Sequence, residues 1–326
     1  MSNPPLVSCP ICAGENSPAL LARVNLIRGH EHDLVQCSDC GVIRFEPLPA
    51  AEELEQFYAA SYYNFDRSRE QGKGMAFASR LRRMRAAGPR RAAGRLLDIG
   101  CATGFFIDGI RKHTDWQVYG VDFGESAVRF AREQLGLEVA HGELVDARYP
   151  EAFFDVIRIS NVLEHVRDPL GMLRECRRII RPDGRVLLSV PNGYNDSREL
   201  IAFHREEGRP ARSHKGHIFF FPAPTLLGMF DASGFVPVQK KTYGFKRGLR
   251  NLGVLPRKKH WKRAYELPAG DESDAASREV VVADTPGRPA IYYRFALARD
   301  QITMVPGLHR SGLDFMLILE PAATAR

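Results

Sequence analysis

The chain has 326 residues, 44% of them hydrophobic and 26% charged, with a formal net charge of +7. That length and apolar content support one large core plus a small appendage and exclude three ordinary domains. No run of eighteen apolar residues occurs and no basic, then apolar, leader opens the chain, so no membrane span and a cytoplasmic location are expected.

The first element is a pair of cysteine knuckles, Cys9-x-x-Cys12 and Cys37-x-x-Cys40, each followed by a glycine, Gly14 and Gly41. In a chain without a leader, two such pairs point to metal rather than to disulfides, and four thiolates can close a tetrahedral zinc site. Pro47-Leu48-Pro49 ends this module, giving a knuckle over 1–48. Residues 49–94 form a helical linker and lid: Leu54, Phe57 and Tyr58 recur at helical spacing, a second helix is expected over Met75–Met84, and Tyr62 and Tyr63 are candidates to enclose a substrate. A basic run, Arg80 to Arg91, precedes the main domain.

From Arg95 the pattern alternates. Strands are expected at Leu96–Ile99, Val118–Asp122, Glu138–Ala140, Asp155–Ser160 and Arg185–Val190. Helices fall between them, near Thr103–Lys112, Glu125–Leu135 and Pro169–Ile180. This is the signature of an α/β, doubly wound sheet over 95–326. A polar stretch follows Asn192, then a helix over Pro224–Ala232, a strand over Phe235–Lys241, and strand candidates at Ile291–Leu297 and Phe315–Leu319. Residues 246–290 read as a basic, then polar, surface insertion. Ten Lys/Arg and no acid lie within Lys240–Arg263, so the remainder is net −3 and an anionic partner must be considered.

The chemistry is concentrated at Leu96-Leu97-Asp98-Ile99-Gly100-Cys101-Ala102-Thr103-Gly104-Phe105, a strand, a turn of small residues and a helix start. Such a turn lets backbone approach a ligand at the carboxyl end of the first strand. Phe105 stands where a dinucleotide-binding turn needs its third glycine, which weakens a dehydrogenase reading. Asp98 suits a ligand carrying a sulfonium and an ammonium better than a pyrophosphate, and Asp122, 22 residues after Gly100, is placed to take both ribose hydroxyls.

Residues 95–192 resemble class I S-adenosylmethionine-dependent methyltransferases, in the branch that carries Leu163-Glu164-His165-Val166 and, later, Arg181-Pro182-Asp183-Gly184 and Val190-Pro191-Asn192. The chain departs from most members at Ala102, where Gly is usual. The resemblance implies a seven-stranded Rossmann-like sheet, Gly100, Ala102 and Gly104 along the methionine part of S-adenosylmethionine, Asp122 and Phe123 at the ribose, Glu143 and Leu144 beside the adenine, and Asn161 beneath the cofactor. The cysteine module with Tyr62-Tyr63-Asn64 resembles that of bacterial sugar and secondary-metabolite methyltransferases. His165 and His217 are the candidate bases. The segment around His217 resembles that of deoxysugar C-methyltransferases, which have Tyr and Glu where this chain has His214 and Gly216. The expected acceptor is a small-molecule or glycan hydroxyl or sugar carbon, free, carrier-bound or nucleotide-linked. An RNA methyltransferase using the basic run, or a cofactor-binding protein without catalysis, are the alternatives.

Overall fold

The computed structural model describes residues 8–27, 29–61, 64–84, 93–213 and 215–243, together with 250, 254–256, 262, 266, 281–283, 302–303 and 314–322. In chain order, strands β1 (Ala19–Asn25), β2 (Glu31–Gln36) and β3 (Ile43–Glu46) are followed by helix α1 (Ala51–Ser61), β4 (Asn64–Asp66) and α2 (Arg67–Met84). Then come β5 (Arg95–Ile99), α3 (Phe105–Arg111), β6 (Gln117–Asp122), α4 (Glu125–Leu135), β7 (Glu138–His141), β8 (Phe154–Ser160), α5 (Pro169–Ile179) and β9 (Ile180–Pro191). The chain continues through α6 (Gly193–Glu207), β10 (Ala211–Arg212), β11 (Phe219–Phe220), α7 (Ala223–Ala232), β12 (Phe235–Tyr243), β13 (Val281–Ala283), β14 (Ile302–Thr303) and β15 (Asp314–Pro321).

The main sheet has the order β14-β12-β15-β9-β8-β5-β6-β7. Strands β7, β6, β5, β8 and β9 are parallel, whereas β15 runs antiparallel to β9 and β12 antiparallel to β15. The expected seven-stranded, doubly wound sheet is therefore present, with the two-residue β14 added at one edge. Because βαβ crossovers place helices on both faces, the central strands are buried throughout: Leu96, Leu97, Ile157, Ile159, Val186 and Leu188 are all within 1% of complete burial. The helices obey local rules. In α5 the Asp168 carboxylate caps the Gly171 amide at 2.8 Å with Pro169 in the first turn, a cap contributing about 1 kcal/mol, and Leu173, Cys176 and Ile179 form its inward stripe. Helix α4 ends on Gly136 at φ +61° and buries Ala127, Val128 and Ala131.

A second sheet has the order β10-β1-β2-β3-β11. Its centre is the cysteine module, but both outer strands come from the segment after α6, β10 pairing with β1 and β11 with β3. One apolar core runs from Leu34, Phe45 and Phe57 through Leu163 and Ile157 to Phe203 and Phe221, so the module and the large sheet share an interior. The polar stretch after Asn192 is in fact α6; its Gly-Tyr-Asn-Asp start hides a helix whose inward face is Ser197, Leu200 and Phe203. Helix α2 is longer than its apolar spacing suggested and packs against α3, where Gly74 lets the two backbones approach. The strand expected at Ile291–Leu297 and most of the 246–290 insertion lie outside the described residues. Among the described residues no helix is long and apolar enough to cross a membrane.

Candidate active site and cysteine cluster

The carboxyl ends of β5, β6 and β8 open into a cavity of about 530 Å³. It is lined by Gly100, Asp122, Phe123, Glu143, Leu144 and Asn161, together with Leu54, Tyr58, Val162 and His165. Gly100 sits at φ +71°, where a Cβ would run into the side chain of Val162, so only glycine leaves this end of the cavity open. Asn161, at φ +53°, closes the β8 turn with its amide on the Ser189 carbonyl at 2.8 Å.

Asp122 is nearly buried, and its two oxygens accept from the amides of Ala102 at 2.7 Å and Gly124 at 2.9 Å. Burial raises its pKa above the ordinary carboxylate range, against the pull of those amides. The remaining lone pairs of its oxygens can take hydroxyl donors from the cavity. Glu143 closes a capping box with Asp146 over the 3-10 turn Leu144–Ala147, which fixes Glu143 and Leu144 on the cavity wall. Seven of the expected residues, Gly100, Asp122, Phe123, Glu143, Leu144, Asn161 and His165, thus meet at one cavity.

Asp98, Ala102 and Gly104 do not line it. Asp98 turns away to the Arg158 guanidinium at 2.6 Å, itself stacked over Phe106 at 3.9 Å. Burial pushes the Asp98 carboxyl up to about 6 even with that guanidinium beside it. Asp98 and Arg158 are register partners on neighbouring strands and share one face, so the ion pair forms within the sheet. Ala102 contributes its amide to Asp122, and Gly104 at φ +76° makes room for Leu137.

His165 Nδ1 is 2.9 Å from the Gly216 carbonyl, which can only accept, so Nδ1 carries the proton and Nε2 offers a lone pair. His217 is buried behind it, not on the cavity wall, the two rings meeting edge to face at 4.9 Å. Glu164 Oε1 lies 3.7 Å from Nε2 of each imidazole. The segment is anchored by backbone: the amides of Ile218 and Phe219 both donate to the Glu164 carbonyl, at 3.0 and 3.1 Å. Tyr62, Tyr63 and His214 lie outside the described residues. From the helical linker, Tyr58 faces the cavity, 6.1 Å from His165 and 6.5 Å from Phe123, ring to ring. Its spacing with Leu54 and Phe57 indicated a helix, and only the three-dimensional arrangement shows that it lines the cavity. Glu164 was visible in the sequence as part of a family motif, not as a reactive group.

The four N-terminal cysteines converge, all sulfurs within 4.8 Å, with Cys9 to Cys40 at 3.8 Å and Cys12 to Cys37 at 3.5 Å. A zinc with thiolates at about 2.3 Å sets its sulfurs about 3.8 Å apart, so the donor set fits that ion. Each pair lies in a tight turn, with Ala13 at φ +61° and Gly41 at φ +77°. Thr225 Oγ1, on α7, donates to the Cys40 carbonyl at 2.5 Å and docks the knuckle on the main domain. Of the basic run, Lys262 is engaged with Glu206 at 3.0 Å and Glu207 at 2.6 Å on α6, while most of the run lies outside the described residues.

Residues 69–240 match the family model described as a methyltransferase domain. The chain belongs to that family. It is similar to a probable S-adenosylmethionine-dependent methyltransferase of Mycolicibacterium smegmatis, 30% identical over 161 residues that cover 47% of this chain and 62% of that one. It is also similar to the ubiquinone biosynthesis O-methyltransferase of Stutzerimonas stutzeri, 35% identical over 108 residues, 31% of this chain and 46% of that one. The chain therefore spans about half to three fifths of the length of these curated relatives. Among solved structures, an S-adenosylmethionine dependent methyltransferase from Mesorhizobium loti aligns with a TM-score of 0.43 at 18% identity, covering 75% of this chain and 99% of that one. A methyltransferase domain accounts for the glycine turn, the acid at the end of β6 and the cavity they share.

Proposed function

We propose that the protein transfers the methyl group of S-adenosylmethionine to a small-molecule acceptor, free or borne on a carrier or nucleotide, and that the acceptor enters between Tyr58 and His165. The observation that carries this reading is a single cavity whose lining includes Gly100, the Asp122 carboxylate and His165. Asp122 holds the ribose, Glu143 and Leu144 flank the adenine, and the sulfonium points its methyl toward the His165 end. Alignment supplies most of the rate, because the sulfonium is already a reactive donor. The acceptor's proton is lost at the Glu164, His165 and His217 cluster, with His165 nearest the acceptor.

A hydroxyl is favoured over a sugar carbon. Gly216 is at φ +76° and a Cβ there would strike the Phe57 ring, so the position that carries Glu in deoxysugar C-methyltransferases has no room for a side chain. A cavity of about 530 Å³ suits a small acceptor better than RNA. The cysteine cluster holds one structural zinc, since four thiolates leave no position for water. Incubating the purified protein with S-adenosylmethionine and a panel of phenols, sugars and hydroxy acids should release S-adenosylhomocysteine with at least one of them, and His165→Ala should lower that turnover about a hundredfold while cofactor affinity holds. No binding of S-adenosylmethionine by calorimetry, or full turnover in His165→Ala, would overturn it.

A further inference from the structure

We propose that Glu164, His165 and His217 form a second metal site, for a divalent cation of the manganese, iron, cobalt or zinc group, beside the acceptor end of the cavity. The donor set is two imidazole nitrogens and one carboxylate oxygen, the ligand combination that leaves coordination positions open on such ions. Glu164 Oε1 is 3.7 Å from the Nε2 atoms of both His165 and His217. That separation is long for a hydrogen bond, whereas a cation about 2.1 Å from two ligand atoms spans roughly 3.7 Å at an angle near 120°.

The surroundings agree. The Nδ1–H of His165 is committed to the Gly216 carbonyl at 2.9 Å, the outer contact that turns an imidazole's other nitrogen toward a metal. The ligands come from two segments, yet their spacing is fixed, because the Glu164 carbonyl takes the amides of Ile218 and Phe219, next to His217. Glu164 and His217 are buried, 1% and 5% exposed, and a cation offsets the cost of enclosing that carboxylate. His165 alone of the three lines the cavity, so the open side of the cation faces the acceptor.

The acceptor class follows, resting on the methyl-transfer reading: a hydroxyl whose oxygen completes the coordination. The cation weakens the O–H bond and the proton leaves to water. An oxygen pair then forms the C–O bond to the methyl as the C–S bond breaks, its pair returning to sulfur. A hydroxyl and the sulfonium give a methyl ether, S-adenosylhomocysteine and one proton. With the cation bound, His165 holds the metal instead of taking the proton itself, so the acidified hydroxyl needs no separate base.

The test uses the full chain with its cysteine cluster loaded with zinc, titrated with Mn2+ and followed by loss of the free-ion electron paramagnetic resonance signal. One Mn2+ per chain beyond the zinc is expected, with at least tenfold weaker binding in both Glu164→Gln and His217→Ala. Calorimetric S-adenosylmethionine binding in the same samples shows whether each variant is folded. Absence of Mn2+ binding up to millimolar concentration, or equal binding in variants that still bind the cofactor, would overturn the site. Failure of the wild type to bind S-adenosylmethionine while it takes up Mn2+ would instead overturn the methyl-transfer reading and leave the metal site standing.

Discussion

The amide of Phe45, in the cysteine module, donates to the carbonyl of Ile218 at 3.0 Å, one residue past His217. Phe219 and Phe220 extend that contact by pairing with Arg44 and Ile43. The module is thus a wall against which the His217 segment is built, joined to it through β3.

Removing the metal from the module should therefore reach the chemistry. Elemental analysis of protein purified without chelator should give about one zinc bound by Cys9, Cys12, Cys37 and Cys40. Cys9→Ser should lower turnover at least tenfold while the dissociation constant for S-adenosylmethionine changes less than threefold, because Asp122 and Gly100 belong to the other sheet. Equal losses in both would mean that the module supports the whole fold.

Asp122→Ala should weaken S-adenosylmethionine at least tenfold, equivalent to about 1.4 kcal/mol, as read by calorimetry. It should also destabilise the protein, since the amides of Ala102 and Gly124 lose their acceptor, at about 1–3 kcal/mol for each left buried and unsatisfied. Asp122→Asn, which keeps one acceptor oxygen, should recover part of the stability and less of the affinity.

His32 makes stability depend on pH. Its Nδ1 lies 2.7 Å from the Pro47 carbonyl and its Nε2 3.0 Å from the Glu53 carboxylate on α1, so the ring is doubly protonated when both bonds form. Burial lowers its pKa, but the hydrogen bond and charge of Glu53 outweigh that and the net shift is upward. A raised value means that the native state holds this proton more tightly than the unfolded chain. The contribution is then complete below the unfolded pKa of about 6.5 and fades as pH rises through the folded value. Denaturant midpoints at pH 6 and pH 8 should differ more in the wild type than in His32→Gln. Identical pH slopes would rule out the clamp.

Gly216→Ala should cost about 1–3 kcal/mol, through positive φ and through the Phe57 ring it would push against. Its carbonyl orients His165, so turnover should fall further than the change in melting temperature explains, with cofactor affinity unchanged.

That Gly100 and Asp122 meet at one cavity was legible in the sequence because the relationship is local. Gly100 and Asp122 each close a strand, and the ends of neighbouring parallel strands meet by rule. Asp98 shows the limit: its chemistry suited the cofactor, but its register partner on β8 is Arg158, and the two form an ion pair outside the cavity lining. The placing of His217 and Tyr58 depends on long-range pairing. Nothing near residue 217 announces that β11 will complete a sheet begun at residue 19, or that Tyr58 rather than a neighbour will overlook the cavity. Helix α6 stayed hidden for a related reason, its poor helix formers being overruled by the burial of Leu200 and Phe203.

Strand β15 enters the main sheet between β9 and β12, both of which precede it in the chain. During synthesis those two strands must wait, their facing edges unpaired, until residues 314–321 have left the ribosome. Val186, Leu188 and Val190 are fully covered in the finished fold but lie along an open, apolar edge until then. A message truncated between the end of β12 and Asp314 should yield an aggregating chain rather than a partly active one, although every proposed cofactor and metal ligand is intact.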